Sequence, residues 1–209
     1  MIKKIIDKLM SSTEEAPKIV MFSPEAIETS PEPDLRTIGM FCDIQEDKVA
    51  EIIHAILYLN EMNKLEEDPN KKRPIEFYLS TYGGSADDMF ALYDIIRLIR
   101  PESEIHTLGL GKVMSAGVLL LAAGTKGKRR IAKNCRIMIH SVAAGNHGDI
   151  HDLTNELKAI SDLQKMYARC LIAETNITKS QLKKMLERKV NVYLSAEEAV
   201  KLGIADNIV

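Results

Sequence analysis

Between Ala116 and Ala123 the chain carries no polar side chain: Ala-Gly-Val-Leu-Leu-Leu-Ala-Ala. A helix built from such a run is apolar on every face, so other elements must enclose it. That demands a layered fold with enough chain to cover the run. A length of 209 residues at 45% hydrophobic can bury a full core, most simply as one domain. The longest apolar stretch, Val118 to Ala123, is far too short to span a bilayer, and no membrane association is expected.

The remaining periodicities supply the covering layers. Thr37 to Cys42 reads as a short strand, and Asp47 to Met62 as an amphipathic helix with Val49, Ile52, Ile53, Ile56 and Leu59 on one face. Asn63 to Arg73 is a charged loop holding the turn signal Asp68-Pro-Asn. Pro74 to Leu79 reads as a strand, and Met89, Leu92, Ile96 and Ile99 mark a second helix that ends before Pro101. Glu104 to Leu110 is strand-like and leads into the apolar helix. Arg129 to Lys133 and Arg136 to Ile139 read as two short strands. A long amphipathic helix is expected over about 149–174, with Ile150, Leu153, Leu157, Ile160, Leu163 and Met166 on its apolar stripe. Capping boxes at Thr178-Lys-Ser-Gln181 and Ser195-Ala-Glu-Glu198 open two short helices, and Gly203 stops the second. Strands alternating with helices imply an α/β fold with parallel βαβ units. Residues 1–34 hold four of the seven prolines and little periodicity beyond residue 10, and read as a mobile N-terminal arm ahead of a domain over 35–209.

Bulk chemistry excludes several function classes. A formal net charge of −2, from 28 basic and 30 acidic residues, gives no footprint for nucleic acid. The absence of Trp, with 4 Phe and 6 Tyr, also speaks against a base-stacking surface. Cys42, Cys135 and Cys170 are odd in number and widely spaced, which suits a reducing compartment and neither a disulfide framework nor a zinc site. The N-terminus has no uninterrupted apolar segment of signal-peptide type, so a cytoplasmic protein is expected.

Ser115 stands where a glycine-containing turn runs into the apolar helix. Helix N-terminal amides stabilise negative charge developing beside its oxygen, which suits a nucleophile. Downstream, the apolar run Arg136-Ile-Met-Ile139 ends in His140, a candidate base at a strand end, where sites of α/β folds collect. A second strand-to-helix turn, Gly83-Gly84, lets backbone approach a reacting carbonyl closely. The amides of Gly84 and Ala116 would then form an oxyanion hole, and acyl transfer is the expected chemistry. An α/β-hydrolase is excluded: position 113 is Val where G-x-S-x-G needs glycine, and the chain order of that triad ends in histidine. His54 and His106 lack supporting context. His147, Asp149, His151 and Asp152 gather at a helix start, where acidic residues ordinarily complement the helix dipole, so no metal is expected there.

Several blocks in this order resemble the proteolytic subunits of the Clp protease family, serine peptidases of the crotonase-like superfamily. They are Ser80-Thr-Tyr-Gly-Gly84, Met114-Ser-Ala-Gly117, Leu120 to Arg129, Arg136-Ile-Met-Ile-His140 and Leu194 to Asp206, and the likeness runs from about Leu35 to Val209. The resemblance implies a spiral of ββα units with a protruding handle helix at about 149–174. It implies stacked heptameric rings, as a homo-oligomer or a mixed ring, fed with unfolded polypeptide by an AAA+ unfoldase. It also implies a subunit that itself binds no nucleotide or other cofactor. Carried over by position, Ser115 is the nucleophile, His140 the general base, and Gly84 and Ala116 the oxyanion donors.

The family's catalytic aspartate lies four residues before its Ser-Ala pair, and Ser195-Ala196 puts that place at Asn191. Asparagine can fix the histidine tautomer through its carbonyl oxygen but carries no charge to offset the imidazolium. In chymotrypsin-type proteases the same swap lowers turnover by about 10⁴. Weak or conditional peptidase activity is therefore expected. Lys189 and Val190 stand where the family often has Asp-Arg, and Tyr82 where it usually has proline before the double glycine. The N-terminal arm lacks the Tyr-Asp-Ile-Tyr-Ser-Arg-Leu-Leu-like stretch of axial loops, which leaves docking to a particular ATPase open. Two rival readings differ in class: a catalytically impaired structural subunit of a mixed Clp cylinder, and a crotonase-type acyl-CoA enzyme, which has no need of a serine–histidine pair.

Overall fold

The computed structural model describes residues 35–145, 147–187 and 190–209. The arm expected over 1–34 lies outside the described residues, as does Lys189. The strands are β1 (Thr37–Met40), β2 (Ile75–Thr81), β3 (Ile105–Met114), β4 (Arg130–Ile131), β5 (Arg136–Ile139), β6 (Val192–Leu194) and β7 (Asn207–Ile208). The helices are α1 (Glu46–Leu65), α2 (Ala86–Ile99), α3 (Ala116–Ala122), α4 (Ile150–Glu174), α5 (Lys179–Leu186) and α6 (Ala196–Lys201). The result is a mixed α/β fold.

The sheet runs β1-β2-β3-β4-β7, with β5 also on β3 and β6 on β5. Every pairing is parallel except β5–β6, which is antiparallel. In β2 the residues two apart, Ile75, Phe77 and Leu79, are wholly buried while their neighbours are half covered, the alternation of a pleated strand.

β3 is longer than the strand expected from Glu104 to Leu110, and the reason is a bulge. The register with β2 passes from Leu79↔Gly109 to Thr81↔Val113, so extra residues on β3 loop out where Gly111 takes φ +60°. Before the bulge Leu108 and Gly109 pair with β4; after it Lys112 to Met114 pair with β5. One strand thus hands its edge from one neighbour to another, and its second half aims Ser115 at the end of β5.

All seven residues of α3 are buried, as an all-apolar helix requires. Gly117 allows the close fit: a Cβ there would come within 2.5 Å of the Thr81 methyl. α1 reaches Leu65, three residues beyond the expected end, because Asn63 has its own buried partners. Its side-chain amide donates to the Arg73 carbonyl and to Ser103 Oγ, both at 2.9 Å, and its Oδ1 accepts from Arg36 at 2.7 Å.

The long helix α4 starts on Asp149, whose carboxylate accepts from the amides of His151 and Asp152. That capping accounts for the acidic cluster noted at the helix start. The first half of α4 packs on little of its own chain: Ile150 is 79% and Leu157 69% exposed, and full burial is reached only at Tyr167, Leu171 and Glu174. Both expected capping boxes form, on α5 and α6, and Gly203 ends α6 at φ +70°. β6 and β7, at three and two residues, are too short to carry a readable period.

Candidate active site

Ser115 joins β3 to α3 in the N-cap position, with φ +54° and ψ −126°. It is the non-glycine residue with positive φ among the described residues. Such a backbone costs about 1–3 kcal/mol and persists only where its surroundings hold it. Three hydrogen bonds do so. The Ser115 amide donates to the Met138 carbonyl at 2.8 Å, and the Ser115 carbonyl accepts from the Val118 amide and the Tyr167 hydroxyl, each at 3.1 Å. The strained turn pushes Oγ out of the helix axis and towards the end of β5.

There it meets His140. The imidazole Nε2 lies 2.8 Å from Ser115 Oγ, a distance at which a proton can pass between them. β5 pairs in parallel with β3 through Met114↔Met138, so the residues just past each strand end emerge side by side. Two side chains separated by 25 positions are thus joined by strand register alone.

The two amides expected beside them are present and unspent. Gly83 and Ser85 use their carbonyl and amide on Ile44, at 2.7 and 3.0 Å, in an isolated parallel bridge. In a parallel ladder the residue between two such bonds points its own N–H to the opposite side. Gly84 and Ser115 line the same cleft. Gly84 has φ +146°, and a Cβ would fall 2.3 Å from the Ile44 carbonyl oxygen, so glycine is required. The Ala116 amide is the first of α3 and has no carbonyl a turn behind it to bond. Among the described residues neither amide donates to another protein group. A cleft of about 590 Å³ opens over these groups, lined by Met89, Phe90, Ile160, Leu163 and the ring of Tyr82, with Ser115 and His140 in its wall.

Asn191 is placed differently. The β5–β6 ladder pairs Ile137↔Leu194, Met138↔Tyr193 and Ile139↔Val192. Extending it by one step sets Asn191 across from His140. Yet Asn191 is exposed, and no hydrogen bond joins its amide to the imidazole. His106, on the far half of β3, bonds Glu76 and Glu104 and does not line this cleft.

Two participants escape a reading of the sequence. Gly83, at φ +105°, lies against the serine itself: a Cβ there would be 2.6 Å from Ser115 Cβ. Tyr167 sits one turn past Leu163 on the buried stripe of α4. A tyrosine on an apolar stripe needs a partner for its hydroxyl, which is the signal that could have marked it.

The sequence model of the Clp protease family matches residues 34–209. The chain belongs to the Clp protease family. Among curated relatives, it is 32% identical over 172 residues to the ATP-dependent Clp protease proteolytic subunit 2 of Frankia casuarinae, covering 81% of this chain and 74% of that one. It is 36% identical over 142 residues to the proteolytic subunit 2 of Corynebacterium jeikeium, covering 68% and 65%. With the Borreliella afzelii subunit it shares 32% over 173 residues, covering 83% and 82%. The Clp-like chain is thus the peptidase subunit of an ATP-dependent Clp protease, a serine endopeptidase. No described helix is long and apolar enough to cross a membrane.

Proposed function

We propose that Ser115 is the nucleophile of this peptidase and His140 its general base, with the amides of Gly84 and Ala116 as the oxyanion hole. The observation that carries the reading is the 2.8 Å contact between His140 Nε2 and Ser115 Oγ beside two unspent donors. Ser115 Oγ attacks the scissile carbonyl as its proton moves to Nε2. The negative oxygen is held by the two amides, and the imidazolium then protonates the leaving amine. Water, deprotonated by the same imidazole, releases the acyl group. Asn191, across from His140 at the end of β6, orients the imidazole when substrate closes the site.

The substrate is unfolded polypeptide lying along the cleft. The subunit works in heptameric rings, stacked through α4 and served by an AAA+ unfoldase, with residues 1–34 as an arm before a catalytic domain over 35–209. It works in the cytoplasm. Three unpaired cysteines fit that setting, and burial pushes the Cys135 thiol up to about 11, out of reach of oxidants that need a thiolate.

One observation favours a second reading, in which the subunit is a catalytically impaired member of a mixed cylinder: among the described residues no carboxylate pairs with His140. Hydrolysis of a fluorogenic peptide by the purified assembly separates the two. Activity that disappears in Ser115→Ala and in His140→Ala supports the catalytic role. Equal residual hydrolysis in wild type and Ser115→Ala removes it.

A further inference from the structure

We propose that Tyr167 is a positioning residue for the oxyanion hole, acting through the backbone carbonyl of Ser115. The inference rests on the assignment of Ser115 and Ala116 made above and deepens it.

The geometry of one peptide unit carries it. The carbonyl of Ser115 and the amide of Ala116 belong to the same planar, trans peptide, so they point in opposite directions and move together. Whatever holds the Ser115 oxygen also aims the Ala116 N–H. The Tyr167 hydroxyl donates to that oxygen at 3.1 Å, and the tyrosine itself forms part of the cleft lining. The phenol is 6% exposed and the ring is fixed by the packing of α4 on α3. Burial drives its hydroxyl far above the ordinary range, so it remains a donor at every pH at which the protein is folded.

The buried hydroxyl gains a partner from this contact, but the carbonyl's own need for a donor does not call for it. The Ser115 oxygen already accepts from Val118 N, the bond that the first turn of α3 supplies. The hydroxyl adds a second donor to a carbonyl that needs only one. It does so at a residue whose φ of +54° would relax towards ordinary helix entry if released. Rotation of this peptide by a few tens of degrees would leave Oγ near His140 but turn the Ala116 N–H out of the cleft. Tyr167 therefore acts on the oxyanion hole more than on the nucleophile.

The test is Tyr167→Phe in the full chain, which keeps the ring and removes the hydroxyl. Loss of one aligned donor predicts a kcat lower by about tenfold with KM within about twofold. A peptide boronate, whose tetrahedral oxygen occupies the oxyanion hole, should lose affinity by the same factor, while a cleaved product peptide binds as before. A merely structural tyrosine would lower the melting temperature and raise KM and product affinity constants together, leaving the ratio of boronate to product affinity unchanged; that pattern overturns the proposal. Unchanged kcat and unchanged boronate affinity also overturn it, while Ser115-dependent hydrolysis by the wild type keeps the underlying assignment intact. A wild type whose hydrolysis survives Ser115→Ala removes both.

Discussion

At the scale of single residues, the site depends on contacts that leave no room for substitution. Gly83 lies flat against Ser115, so Gly83→Ala would bring a Cβ within 2.6 Å of the serine's own and ask alanine to hold φ +105°. We expect kcat/KM to fall by about 10², the effect of an ångström-scale displacement of a reacting group, with peptide hydrolysis as the measurement. Asn191 is the opposite case, a position where change should help. Asn191→Asp adds the anion that offsets the imidazolium, and we expect kcat to rise about tenfold or more, with the 10⁴ lost by the reverse swap in chymotrypsin-type enzymes as ceiling. No gain in the peptide assay would mean that residue 191 does not reach His140 during turnover. The serine and histidine are legible in the sequence because each interrupts or ends an apolar run. Gly83 and Tyr167 are not: their roles exist only once β2, β3 and α4 are folded beside one another, and no local pattern encodes a contact between distant elements.

At the scale of elements, the base of α4 is fixed by a buried knot of charge. Glu174, with a side chain 0% exposed, accepts from Arg97 at 2.6 Å, Arg100 at 3.2 Å and the Tyr93 hydroxyl at 3.1 Å. Its backbone carbonyl takes the Lys126 ammonium and, at 2.7 Å, the Arg129 guanidinium, which also binds Asp206. Burial alone would raise the Glu174 carboxyl, but the hydrogen bonds and charge of Arg100 and Arg97 outweigh it and hold the group below its ordinary 4.5. Asp206 is held below 3.8 in the same way by Arg129. Depressed folded-state values mean that the unfolded chain takes up these protons first as pH falls. The stabilisation is full above about pH 4.5 and is lost progressively below it. Thermal melts should show the midpoint dropping below that pH, and Glu174→Gln should flatten the dependence while costing about 3 kcal/mol at neutral pH. A parallel pH profile in the variant would assign the acid transition to other groups. The helix boundaries around this knot were legible from periodicity and capping boxes. The bend in β3 was not, because one glycine in an apolar run looks the same whether it bulges or not.

At the scale of the molecule, the sheet and its helices bury one continuous core, while the first half of α4 offers apolar side chains with little to cover them. Ile150, Leu153 and Leu157 are spaced for one helix face and stand exposed. If rings stack through this face, Leu153→Lys with Leu157→Lys should reduce the particle mass measured in native mass spectrometry. Far-UV circular dichroism should not change, since these side chains contribute little to the core of their own chain. An unchanged particle mass would move the interface elsewhere.

We propose above all that the Ser115 hydroxyl is activated by His140 for acyl transfer. A fluorophosphonate probe tests it most directly, with the modified residue located by peptide mass spectrometry. A single adduct is expected on Ser115 in the folded assembly, slowed about 10² or more by His140→Ala and absent after denaturation. An unmodified Ser115 in intact, correctly folded protein, or an adduct that forms equally fast without His140, would contradict it.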